Sequence, residues 1–194
     1  MENIKLGFFE IFTYIIPGFF ILLGILLIVE NQNDIISFII EQTNTMSISK
    51  SIIYLVICYI LGFKGQFVAY EIFKPLSKKI WSKRMKKETS FNKLEDEITQ
   101  IRHFSPNNFT SLQKWFALRG MCYGLFFSLF LLDIIILIRS IQFKKWSDQR
   151  IVLLITTIII AVLFLRRAVT FQEWSHRTIK SSMKNMDDFK QKPN

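Results

Sequence analysis

The run from Ile11 to Val29 holds nineteen residues without one formal charge. A helix rises about 1.5 Å per residue, so a run of this length matches the roughly 30 Å of hydrocarbon in a bilayer. Three further apolar runs follow: residues 52–73, interrupted by Lys64 and Glu71; residues 120–138, interrupted by Asp133; and residues 151–165. The pattern predicts an integral membrane protein of the all-α class, a four-helix transmembrane bundle with a helical cytoplasmic layer. Residues 1–73 form the first transmembrane pair with a short outer loop, and residues 74–118 a basic amphipathic cytoplasmic connector. Residues 119–166 form the second pair, and residues 167–194 a basic cytoplasmic tail.

A formal net charge of +10 raises nucleic acid as a partner. The cations, however, lie beside apolar spans and do not alternate with base-stacking aromatics, so anionic lipid headgroups are their expected counterions and no specific nucleic-acid binding is expected. Cys58 and Cys122 both fall inside predicted spans and read as small packing residues, without a disulfide. With His103 and His176 as the only histidines, the chain gathers no metal site, and it carries no catalytic or nucleotide motif. No cofactor is expected. The first apolar run exceeds the roughly 7–15 residues of a signal-peptide core and is followed by Val29-Glu30-Asn31-Gln32, with no small-residue cleavage site, so it reads as a retained span. Heavy use of Ile, Phe, Lys and Asn fits a low-GC bacterial genome.

Orientation follows from Lys and Arg, which accumulate in cytoplasmic loops. With the N-terminus inside, nineteen basic residues face the cytoplasm and five the outside. Both termini and the connector are therefore expected on the cytoplasmic side of a bacterial inner membrane. Lys144, Lys145 and Arg150 in the last outer loop run against this trend.

In the first outer loop, residues 34–41 carry an apolar core too short to span. They are expected to lie in the outer headgroup layer, the alternative being a lid over the bundle mouth. In the connector, residues 74–87 concentrate cations beside Leu76, Ile80 and Trp81, as in a helix along the inner surface. Phe91, Leu94, Ile98 and Ile101 then recur at helical spacing and form one apolar stripe, opposite Glu95, Asp96 and Glu97. The stripe must bury against the tail or another protein, and it is the candidate surface for a soluble cytoplasmic partner. After a turn at residues 105–108, Thr110-Ser-Leu-Gln113 has capping-box spacing and predicts a helix from near Ser111 into the third span.

Charges inside a span are costly and direct attention to function. Glu10, Lys64 and Glu71 fall near one membrane side and either line an inner vestibule or fix packing, with Lys64 snorkelling to an acid. Asp133 lies at the depth of Thr156 and Thr157, as a proton or cation site or as a hydrogen-bonded peg between spans three and four. Pro17-Gly18 removes one helical hydrogen bond and is a candidate hinge. Gly62 with Gly65, and Gly120 with Gly124, offer surfaces for close helix approach.

The first span's Tyr14-Ile-Ile-Pro-Gly-Phe19, the second span's Tyr59-Ile-Leu-Gly62 with Gln66, and the basic connector ahead of spans three and four resemble small four-span bacterial membrane proteins that accompany antiphage defence systems, of the Kiwa membrane-component type. The resemblance implies a homo-oligomer at the inner membrane that partners a soluble cytoplasmic protein, and it assigns no functional residue by position. The expected function is a non-enzymatic membrane effector or scaffold that oligomerises and presents its cytoplasmic layer to a partner. The alternative is a small ion channel or transporter with Glu10, Lys64, Glu71 and Asp133 along a path.

Overall fold

Apolar periodicity becomes six helices among the described residues: α1 (Glu2–Val29), α2 (Ile35–Asn44), α3 (Ile48–Ile80), α4 (Phe91–Phe104), α5 (Pro106–Gln142) and α6 (Asp148–Lys190). The structure, a computed structural model, describes residues 2–30, 35–44, 46–80, 91–144, 146 and 148–190, with the backbone alone at residues 2–10, 35–36, 74, 76–78, 80, 91–93, 149 and 186–190. Four helical segments, Ile11–Val29, Ile48–Phe73, Pro106–Gln142 and Arg150–Asn185, are long and apolar enough to cross a membrane. Their outward faces agree, since Ile52, Val56, Ile60 and Phe67 on α3 and Val152, Ile155, Ile159 and Val162 on α6 are all exposed. In water so much exposed apolar surface drives association, whereas hydrocarbon solvates it.

α5 is the central helix. It meets α6 at Asp133 with Thr157, at Trp115 with Phe171 and Trp174, and at Asn108 with Ser182, so the two run antiparallel along nearly their whole lengths. α1 lies beside α5 in the same direction, with Pro17 against Gly124, Gly24 against Ile135, and the Leu27 carbonyl accepting a 2.9 Å bond from Arg139 Nη2. The glycine and ring contacts of α3 from Cys58 to Phe73 fall on Tyr14 to Ile21 of α1 and on Arg119 to Phe130 of α5. Hence α3 crosses α1 and α5 obliquely within the all-helical arrangement.

The crossing is set by two glycines. A Cβ at Gly18 would lie 1.7 Å from the Cys58 carbonyl oxygen, and one at Gly62 would lie 1.8 Å from the Tyr14 carbonyl oxygen. Backbone meets backbone there, so no side chain fits. Pro17 is itself buried, with its ring 3.2 Å from where a Gly124 Cβ would stand. The candidate hinge Pro17-Gly18 lies at a three-helix packing point inside one continuous helix.

Three apolar clusters follow the helices from one end to the other. At the end expected outside, Phe38 of α2 is 1% exposed and packs with Leu23, Leu27, Leu132, Ile136 and Leu154. α2 therefore caps the bundle mouth, in place of the expected position in the headgroup layer. In the middle, aromatic rings dominate, with Phe73 and Phe126 edge to face at 4.5 Å. At the other end, Ile101, Leu112 and Ile179 join α4 to extensions of α5 and α6 beyond their apolar runs.

α5 starts earlier than the capping-box spacing predicts. Pro106 takes the first helical turn, where its missing N–H costs nothing, and Thr110 Oγ1 donates back to the Pro106 carbonyl at 3.1 Å. α3 likewise continues through Pro75 to Ile80, so residues 74–80 extend the span as one helix. The rest of the expected surface helix, residues 81–87, lies outside the described residues.

Candidate functional site

Asp133 is 6% exposed, between α5 and α6. Thr157 Oγ1 donates to its Oδ1 at 2.5 Å, and Oδ2 has no hydrogen-bond partner among the described residues. Antiparallel register places Thr157 there, as its depth in the sequence predicts. Thr156, the other expected donor, is exposed and bonds the Val152 carbonyl of its own helix. A carboxyl held by one hydroxyl across a helix pair is a directional link that hydrocarbon packing cannot supply.

Lys64 sits elsewhere. It lines a groove of about 580 Å³ formed by α1, α3 and α5, together with Tyr14, Phe63, Gln66, Phe67, Tyr70, Phe116, Arg119 and Gly120. Glu71, seven positions on, is exposed, and no hydrogen bond or ion pair joins it to Lys64. The Glu10 side chain lies outside the described residues. The expected grouping of Lys64 with Glu71 therefore does not form, and Asp133 belongs to a different helix pair.

The groove instead gathers residues that were not singled out as site residues. Arg119 lies over the rings of Tyr70 at 5.4 Å and Phe116 at 5.0 Å, a cation–π arrangement that fixes the guanidinium at the groove wall. Gln66 lays its amide across Gly120, where a Cβ would stand 1.6 Å from Nε2. Its buried Oε1 has no hydrogen-bond partner among the described residues. A lone amide two residues after a lysine in an apolar run is a signal in the sequence, but the pairing with Arg119 and Gly120 exists only through the oblique crossing of α3.

The apolar stripe of α4 is spent inside the chain. Ile101 is 0% exposed, and Leu94 and Ile98 pack with Phe109, Phe116 and Met183 around Leu112 and Ile179. This corrects its assignment as a partner surface: α5 and α6 extend far enough past their apolar runs to bury it. The Phe91 side chain lies outside the described residues. The layer exposes charged side chains, Glu95, Asp96 and Arg102 on α4 and Arg177, Lys180 and Lys184 on α6, together with the ring of Phe104, 69% exposed. Arg177 also pairs with Glu173 one turn away. Beneath the layer, Arg167 stands over Phe171 and Trp174 at 4.8 and 5.0 Å, marking an aromatic girdle with Trp115.

Cys58 and Cys122 are both buried free thiols. No group of three or more metal-ligating side chains occurs among the described residues. Comparison with protein-family models, with curated proteins and with solved structures gives no match.

Proposed function

We propose that the protein is a non-enzymatic membrane scaffold or effector that oligomerises in the bilayer and engages a soluble partner through its inner helical layer. The observation that carries this reading is continuity. α5 and α6 run unbroken for 37 and 43 residues from apolar span to polar layer, and α4 is bolted across both by Ile101. A displacement of the spans therefore moves the layer as one piece, because close-packed helices transmit rigid-body shifts with little internal give. The layer's partner face is its exposed charge, now that the α4 stripe is internal. The setting proposed from the resemblance of the first two spans is bacterial antiphage defence at the inner membrane.

The separation of Lys64 from Asp133 favours this reading over the channel alternative, since a conduction path lined by both would bring them to one lumen. Photo-crosslinking in cells tests it. A crosslinker at Ser181 should yield a reproducible adduct with a soluble protein that Lys180→Glu with Lys184→Glu abolishes while membrane insertion persists. Adducts confined to lipid or to the chain itself would reject the partner.

A further inference from the structure

The groove between α1, α3 and α5 is lined by two cations, Lys64 and Arg119. Lys64 makes no ion pair among the described residues, although it sits within the span Ile48–Phe73. A lone ammonium at that depth is costly, so an anion beside it is strongly favoured. Arg119 comes from another helix, its guanidinium carbon held 5.4 Å from the Tyr70 ring and 5.0 Å from the Phe116 ring, and a guanidinium is the side chain best suited to bind a phosphate through paired N–H groups. The groove volume of about 580 Å³ falls in the range of about 300–1,000 Å³ typical of small-molecule sites.

The flanks say where the anion comes from. Phe63 and Phe67, 49% and 68% exposed, border the groove on the outward face of the span. A water-soluble anion would have to pass these apolar rings, whereas a lipid already lies against them. We propose that this groove binds an anionic glycerophospholipid, its phosphate held by Lys64 and Arg119. This site depends on the membrane placement of α3 and α5 and is independent of the partner proposed for the inner layer.

Native mass spectrometry of the full chain, titrated with defined lipids, tests the site. Phosphatidylglycerol should be retained over phosphatidylcholine, and Lys64→Gln with Arg119→Gln should cut that preference about tenfold or more, the worth of a charge-assisted hydrogen bond. Lys64→Arg should retain the lipid, which separates a binding role from a folding defect in the double variant. A second groove on α6 is lined by Arg166 and Arg167 but by no other helix. Arg166→Gln with Arg167→Gln should therefore leave the preference intact. Loss in that variant with retention in the Lys64 and Arg119 variant would overturn the assignment, as would displacement of the lipid by soluble glycerol phosphate at equal concentration.

Discussion

At the scale of single residues, the bundle rests on atoms that are missing. Gly18 and Gly62 let two backbones touch, and the nearest atoms a methyl would meet belong to main chain, which cannot swing aside. Gly24 differs, because a Cβ there meets only side-chain ends, Ile135 Cδ1 at 2.7 Å and Leu132 Cδ1 at 3.8 Å. Overpacking a close contact costs about 1–3 kcal/mol and more where backbone must move. Gly18→Ala or Gly62→Ala should lower the thermal midpoint in detergent by several degrees, while Gly24→Ala should shift it much less. Equal effects at all three positions would show that the α1/α3 contact is not the tight point. The same reasoning explains Gly120, whose missing side chain is the space that the Gln66 amide occupies.

At the scale of elements, α4 is the informative one. Its sequence spells an amphipathic helix, and the helix forms where the spacing places it. Whether its apolar side met the chain's own tail or a foreign surface was undecided by spacing, because both burials satisfy the same stripe. The lengths of α5 and α6 decide it, since both extend past the expected membrane boundary and reach α4. Ile101→Ala removes the most buried member of the stripe and should cost about 2–5 kcal/mol of local stability. Hydrogen exchange should show α4 amides losing protection while those of α5 near Asp133 keep theirs. Uniform loss across both helices would mean that the layer and the spans unfold as one unit. α2 makes a similar point on a smaller scale: its short apolar core suits a headgroup layer, yet Phe38 finds a pocket among Leu23, Leu27 and Ile136.

At the scale of the whole molecule, the antiparallel α5/α6 pair and the parallel α1/α5 pair put the α1 N-terminus, α4 and the α6 C-terminus at one end and α2 at the other. From the count of nineteen basic residues against five, we propose that the first end is cytoplasmic. Reporter fusions at residue 45, within residues 81–90 and at the C-terminus should read outside, inside and inside. A periplasmic C-terminus would invert the proposed partner face and place the lipid groove in the other leaflet.

The sequence by itself determined the helices, their apolar faces and the depth of their charges, because these are periodic properties of local chain and of transfer to hydrocarbon. Asp133 and Thr157 were legible as a pair for this reason: two antiparallel spans joined by a short loop align by arithmetic. Tertiary structure alone decided what α3 touches. Its oblique course comes from Gly18 and Gly62 meeting backbone to backbone, and the identity of a glycine says that close approach is possible without saying to what. That course places Lys64 in a different helix group from Asp133 and brings Gln66 to Gly120. The chemistry of the groove is thus the product of a crossing geometry, which no local pattern in the chain encodes.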